Sequence, residues 1–331
     1  MNKQYDVVAI GNAIVDVIAN ADEEFLVREG LRKGDMQLID AARATELYGH
    51  MGPGREVSGG SAANTLAGLA ALGRSCGFIG QVADDQLGEV FAHDIRALGI
   101  RFDAAPLPHT TQPTARCLIL VTPDGQRTMN TFLGAAQFLP ETALDPRLIG
   151  AARLLYLEGY LWNAEASRAA MRQAIAIAKG NGARVALTLS AMFVVESHRD
   201  EFFALIDDGS IDLVFANDDE VKLFMQSDDV AAAARALAQR VPELVVTHGP
   251  AGAEAFANGE HARVPAEPVA RVVDTTGAGD LFAAGYLAGQ AAGRALNQAL
   301  TMGAICAAEA ISHYGPRPEA DLRALVAARL G

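Results

Sequence analysis

The stretch "VVDTTGAGDLFAAGYLAG", Val272–Gly289, sets Gly277 and Gly279 beside a single carboxylate, Asp280, and then runs into small apolar residues. Read mechanically, Arg271–Asp274 is the end of a strand, Thr275–Gly277 a turn, and Ala278–Gly289 a helix carrying Asp280 in its first turn. Unpaired N–H groups at a helix N-terminus carry partial positive charge, and glycines allow an anion to come close to them. Gly277, Ala278 and Gly279 thus form a candidate anion hole. The same field favours the ionised form of Asp280 and sets a carboxylate beside the bound anion. Phosphoryl transfer needs those two things, charge stabilisation on the phosphate oxygens and an acceptor for the hydroxyl proton. The plainer reading, in which Asp280 only stabilises the helix start as a first-turn acid, stays open on this stretch alone.

Other phosphate-binding patterns fit poorly. A dinucleotide fingerprint needs a third glycine where Phe282 stands and normally opens the first βα unit of a fold. No Gly-Lys dipeptide occurs, which removes a Walker-type loop.

Composition limits the rest. The chain has 331 residues, half of them apolar and a fifth charged, enough for a large core in one α/β domain. A formal charge of −13, with no dense Lys/Arg block, argues against nonspecific binding to nucleic acid or an anionic bilayer. Cys76, Cys117 and Cys306 are scattered in apolar surroundings, the pattern of buried thiols in a reducing cytoplasm. Neither a signal core nor a span-length apolar run is present, so a cytoplasmic protein is expected.

Short apolar runs alternate with helical patterns along the chain. Val7–Ile10, Leu154–Leu157, Val185–Leu189, Leu213–Phe215 and Leu244–Val246 read as strands buried on both faces. Ser61–Leu72, Leu87–Leu98, Glu165–Lys179 and Asp229–Arg240 read as helices, and this alternation predicts a mostly parallel central sheet between helical layers. Two hairpins break the pattern. Thr114–Val121 and Gln126–Leu133 flank Pro123-Asp124-Gly125, and Ala253–Val264 turns at Asn258-Gly259. The first hairpin, together with Val15–Ile39, predicts a small β-sheet lid built from about residues 12–40 and 104–134 on a single domain over 1–331. An uncovered edge on that sheet leaves monomer and homodimer open.

Two further stretches carry polar residues in suggestive places. In "SGGSAANT", Ser58–Thr65, Gly59-Gly60 permits close backbone approach to a ligand, and Asn64 lies one turn into the following helix. A nucleophile elbow fails here because Ala63 replaces its last glycine. In "VVAIGNAIVD", Val7–Asp16, a strand runs into Gly11-Asn12, and the carboxylate of Asp16 suits a sugar diol by accepting from two adjacent hydroxyls. A capped helix after a flexible turn, and a solvated Asp16, are the plain alternatives.

Together, "GGSAAN" and "DTTGAGD", in this order and separation, resemble the two signatures of the ribokinase-like, or PfkB, family of carbohydrate and nucleoside kinases. The resemblance spans essentially the whole chain. It implies a three-layer ribokinase-like α/β fold with ATP as phosphoryl donor and Mg2+. It also implies that Asp280 is the base and that Gly277, Ala278 and Gly279 form the anion hole. "NDDE" matches the family's N-x-x-E motif, which implies that Asn217 and Glu220 organise magnesium, most of whose waters are kept. Asn217 also suits a helix cap.

"GNAIVD", "LTLSAMF", "VFANDDE", "VVTHGPAG" and "HYGPRP" are similar to the adenosine-kinase-like branch. That likeness implies phosphorylation of a 5′-type hydroxyl, adenosine to AMP, with ribose or a ketohexose as alternative acceptors and a non-catalytic nucleoside binder as the contrasting class. A nucleoside hydrolase would need an Asp or His/Cys metal cluster that the spacing does not supply. The likeness further implies that Asp16 and Asn64 hold the ribose, with Asn12, Gly59 and Gly60 beside it. Arg127 would neutralise the transferred phosphate, or else be an exposed hairpin arginine. Thr247 and Gly249 would face the nucleotide, and His248 reads as a loop residue. Asp274 and Thr276 match residues of a monovalent-cation (K+) site found in some members. In "GYLWN", Leu161 falls on the position of the base-stacking aromatic, where Tyr160 or Trp162 stands ready as a substitute. Such stacking is worth about 1–3 kcal/mol.

Overall fold

The computed structural model describes residues 3–108 and 111–331; positions 109 and 110, inside the range expected for the lid, lie outside it. Among the described residues, thirteen strands form two sheets. They are β1 (Tyr5–Ile10), β2 (Ile14–Asn20), β3 (Met36–Leu38), β4 (Gly54–Gly59), β5 (Cys76–Ile79), β6 (Ala115–Val121), β7 (Arg127–Phe132), β8 (Ala152–Glu158), β9 (Arg184–Thr188), β10 (Leu213–Asn217), β11 (Glu243–Thr247), β12 (Ala253–Ala257) and β13 (Glu260–Val264). The helices are α1 (Glu23–Arg28), α2 (Ala41–His50), α3 (Ser61–Ala71), α4 (Gln86–Ala97), α5 (Pro146–Gly150), α6 (Glu165–Gly180), α7 (Met192–Asp207), α8 (Asp218–Met225), α9 (Val230–Ala238), α10 (Ala278–Ala291), α11 (Leu296–Ala310) and α12 (Leu322–Leu330).

The large sheet has the order β13-β12-β11-β10-β9-β8-β1-β5. It is parallel from β11 to β5, and the β12–β13 hairpin adds an antiparallel edge. Strand side chains alternate between two cores. Val7, Ala9, Tyr156 and Phe215 pack with α3, α4, α10, α11 and α12, whereas Val8, Ile10, Leu155, Leu157 and Val214 pack with α5 to α9. That double burial is why the strands read as continuous apolar runs rather than alternating ones. The expected three-layer α/β architecture is the one found. Asn258 and Gly259 both take positive φ, 53° and 79°, as the expected hairpin turn requires.

From β1 the sheet grows toward β5 on one side and toward β8 on the other, and a crevice at the carboxyl ends of strands at such a switch point is where open α/β sheets bind ligands. The five-stranded sheet, β3-β7-β6-β2-β4, stands over that end. One of its faces, including Val17, Leu118 and Leu120, is covered by a small core with Phe25, Leu26 and Leu47. Residues of opposite parity, Asp16, Cys117, Ile119, Met129 and Thr131, look into the crevice.

Three details depart from expectation. β4 belongs to the small sheet although it lies outside the two segments expected to build it; its sequence, "GREVSG", is polar with glycine at both ends and shows no strand periodicity. β5 is only four residues long, with Gly77 inside it, too short a run to register. Arg271–Asp274 is not a strand end. The chain leaves the sheet edge at Val264 through Pro265 and Pro268, and the segment is held instead by Val273 N–H donating to Ile311 O at 2.8 Å. All three cysteines are buried and free. No helix among the described residues is long and apolar enough to cross a membrane.

The small residues that follow Asp280 serve helix packing. A Cβ on Gly285 would lie 2.3 Å from Met302 O on α11, and one on Gly68 of α3 would lie 2.6 Å from Leu281 of α10. Absent side chains let α10 lie hard against both neighbours, which brings the N-termini of α3 and α10, and both glycine-rich turns, to one place.

Candidate active site

That place is the wall of a cavity of about 450 Å³ to which the ends of the large sheet's strands contribute polar groups: Asn12 after β1, Glu158 ending β8, Thr188 ending β9, Asn217 ending β10 and Thr247 ending β11. Asp280 stands where α3 and α10 meet. Its carboxylate accepts from Ser61 Oγ at 2.6 Å and from Asn64 Nδ2 at 3.0 Å, and it forms no ion pair among the described residues. The sequence led us to expect the helix field to hold this group ionised. Instead, desolvation by the surrounding protein pushes its pKa up, against the lowering effects of the Ser61 and Asn64 hydrogen bonds and of Arg317. A raised pKa makes Asp280 a stronger proton acceptor than an ordinary aspartate.

Asn64 turns its NH2 group to Asp280, so its buried Oδ1 is left without a partner and is free to accept from a ligand hydroxyl. Asp16, on β2, is buried in the small-sheet wall, and desolvation raises its pKa to about 7. Asn12 donates to Glu158 at 2.8 Å, and Glu158 also accepts from the Ala62 N–H at 2.9 Å. Burial pushes Glu158 to about 7 as well. Sequence reading missed Glu158. Its only signal was a charge ending the apolar run "LLYLE" just before a glycine.

The space cleared at Gly59 and Gly60 is occupied by the protein itself. A Cβ on Gly59 would sit 2.5 Å from Asp16 Oδ2, and one on Gly60, whose φ is 92°, would sit 2.3 Å from Asn12 O. Gly60 lines the cavity and Gly59 does not. Gly277, at φ 76°, makes room for Pro316, whereas nothing lies within 4 Å of a Cβ on Gly279. Helix α10 has no side-chain cap, and only the Ala278 amide of its first turn finds a backbone acceptor, Thr275 O at 3.2 Å. The amides of Gly279 and Asp280 have no such acceptor among the described residues, the condition an anion hole requires.

A second cavity, of about 560 Å³ and mostly apolar, is lined by Thr247, Gly249, Val272, Ala278, Gly279 and Ile311 among others, and it shares Ala278 and Gly279 with the first. Asn217 and Glu220 line the first cavity while forming a reciprocal capping box on α8, so the cap reading and the site position hold together. Burial raises Glu220 to about 7. His248 is a connecting side chain between Asp218 and Glu254.

Three expected residues are elsewhere. Leu161 is buried in the core and lines neither cavity; Tyr160 and Asn163 are the residues of "GYLWN" on the cleft, with the Tyr160 ring 6.0 Å from that of Phe193 between centroids. Trp162 is fully buried, with its indole donating to Glu201. The cause is the short 3-10 turn over Gly159–Asn163, which rotates successive side chains by about a third of a circle. Arg127 is neither exposed nor on the cavity lining. It is buried against Asp274 at 2.8 Å, with Tyr314 stacked over it. Asp274 also accepts from the amides of Thr276 and Gly315, and the guanidinium stands at the carboxylate expected to serve a monovalent cation.

With this geometry in hand, comparison with known proteins is direct. Residues 4–322 match the model of the pfkB family carbohydrate kinases. An adenosine kinase structure from Sinorhizobium meliloti is 45% identical over 98% of this chain and 99% of its own, with a TM-score of 0.90. A probable sugar kinase structure from Rhizobium etli CFN 42 is 41% identical over 99% of each chain, with a TM-score of 0.91. A fructokinase of Klebsiella pneumoniae is 33% identical over 72% of this chain and 80% of its own length. The chain belongs to the pfkB family and is an ATP-dependent kinase that phosphorylates a hydroxyl group of a sugar or nucleoside.

Proposed function

We propose that this pfkB-family chain phosphorylates the 5′-type primary hydroxyl of a ribonucleoside, with adenosine as acceptor, and that Asp280 is the base. The observation that carries the reading is the position of Asp280, on the lining of the first cavity, next in sequence to Gly279, which both cavities share, and beside the unpaired α10 amides. The first cavity has the character of a nucleoside site. Its floor is polar, with Asn12, Asp16, Asn64 and Glu158, and its outer wall is apolar, with Tyr160 and Phe193 opposite Met36, Ile119 and Met129 of the small sheet. A planar base fits between such walls, and a free sugar leaves them uncovered. The second cavity takes the adenine of ATP, with its phosphates directed to Gly279.

In the reaction the acceptor oxygen attacks the γ-phosphorus in line. Its proton passes to Asp280, and the bond to the leaving ADP oxygen breaks. The small sheet acts as the lid that excludes water from this step. Magnesium, when bound, supplies charge neutralisation on the phosphate oxygens. Asn217 and Glu220 fit it through water, because both residues line the cavity while their side-chain oxygens each already accept a hydrogen bond within the capping box.

A sugar acceptor is the second reading, and the dense polar floor is the observation that favours it, since that floor suits any polyol. An ATP-consumption assay with adenosine, ribose and fructose separates the two. Adenosine should give the highest kcat/KM, with AMP as product. A higher kcat/KM for ribose or fructose would transfer the assignment to a sugar kinase.

A further inference from the structure

The loop between α11 and α12 lies against both glycine-rich turns and has no part in the chemistry described so far. Its Pro316 packs on Gly277, with the proline Cβ 2.4 Å from where a Cβ on that glycine would stand. The next residue, Arg317, reaches in the opposite direction. Its Nε and one terminal nitrogen donate to Ser58 O at 3.1 and 2.9 Å, the same nitrogen donates to Ser58 Oγ at 3.2 Å, and the other donates to Ala63 O at 2.8 Å. Ser58 and Ala63 bracket the Gly59–Ala62 turn, so one planar fork holds that turn at both ends. The loop is fixed in turn. Glu309 accepts from the amides of Glu319 and Ala320, both at 2.8 Å, and Asp274 accepts from the Gly315 amide at 2.9 Å.

We propose that Arg317 is a positioning residue that locks the Ser58–Ala63 turn against the Gly277–Asp280 turn and so sets the acceptor's polar wall and its proton acceptor in register. All of its hydrogen bonds among the described residues go to Ser58 and Ala63, none to a carboxylate. A brace alone needs only donors. The charge, left without a contacting anion, acts at longer range on Asp16, Asp94 and Asp280, and it favours the ionised forms of Asp16 and Asp280. The other groups that bear on these carboxyls are Ser61 and Asn64 from α3, Cys117 from β6, Tyr156 and Glu158 from β8, Tyr160 from the turn after it, Arg127 from β7, and Asp274. Among these groups Arg127 is the only other cation, and Asp274 already holds it.

The test compares Arg317→Met and Arg317→Lys in the full chain, using whichever of adenosine, ribose and fructose the wild type turns over. Arg317→Met should raise the acceptor KM at least about tenfold, as expected when hydrogen bonds from a charged donor are lost. The ATP KM should stay within about twofold, and the acidic limb of the kcat profile should move to higher pH. Arg317→Lys should leave the limb in place, because the charge remains. Its acceptor KM should still rise, because an ammonium cannot span Ser58 and Ala63 together. A folded Arg317→Met with unchanged acceptor KM and unmoved limb overturns the proposal. So does equal loss in both Michaelis constants, or failure of both variants to fold, which would leave Arg317 only a structural part. If Arg317→Met alone fails to fold, the KM split in Arg317→Lys decides. The inference rests on Asp280 as base, and the two can fail separately. Full turnover in Asp280→Asn would remove the base while leaving the acceptor KM effect of Arg317 intact.

Discussion

The Gly59–Gly60 turn opens α3 and the Gly277–Gly279 turn opens α10, and as sequence the two invite one explanation, backbone cleared for a ligand. The structure separates them. At the first turn the cleared space is filled by the protein itself, by Asp16 against Gly59 and by the Asn12 carbonyl against Gly60. At the second, Pro316 fills the space at Gly277, and only Gly279 faces empty volume. Under the proposed function, the first turn builds the acceptor wall and the second presents amides to the phosphate. A glycine-rich signature therefore records close approach without saying what approaches.

The largest effect expected from this contrast lies at the junction of the turns. Asp280→Asn keeps the shape but removes the proposed base, so kcat should fall at least about 10²-fold with the ATP KM little changed. Near-normal turnover in steady-state assays would detach the chemistry from this side chain.

Next comes Gly60→Ala, which asks a methyl group to occupy space 2.3 Å from a backbone oxygen at a φ of 92°. Stability should drop by about 2 kcal/mol or more, visible as an earlier denaturant midpoint, and the acceptor KM should rise strongly. If the variant is as stable as wild type, the turn is not filled by the protein in the way described.

A smaller effect follows from protonation. Asp16, Glu158 and Glu220 are each raised to about 7 by burial. Between about 4 and 7 the folded chain therefore holds protons that the unfolded chain has released, so their contribution to stability falls as pH rises through that window. Melting temperatures of the unliganded protein should decline from pH 5 to 8, and less steeply in Asp16→Asn. The acceptor KM should move the opposite way, improving as Asp16 ionises toward pH 8, with this dependence weakened in the same variant.

The smallest change in stability belongs to Gly279→Ala, where open space predicts a change of within about 0.5 kcal/mol. Its ATP KM should nonetheless rise, because the new methyl enters the shared floor of the two cavities. Unaltered nucleotide kinetics would place the phosphates elsewhere.

Much of this protein was legible in its letters. Apolar runs such as "LLYL" and "LVF", spaced by amphipathic helices, determined a parallel sheet between two helical layers, because strands buried on both faces have no polar side to show. The pair of glycine-rich motifs pointed to one place, and both turns do line one cavity. Other features lay beyond local reading because they depend on what distant segments bring. Gly59 is small on account of Asp16, and Gly277 on account of Pro316. A five-residue turn put Tyr160 rather than Leu161 in the cleft, Arg127 found Asp274 across 147 residues, and burial reversed the expected direction at Asp280. Sequence patterns encode period and propensity, which are local; the field and the free volume at a side chain are sums over every neighbour that folding assembles, and only the tertiary structure supplies them.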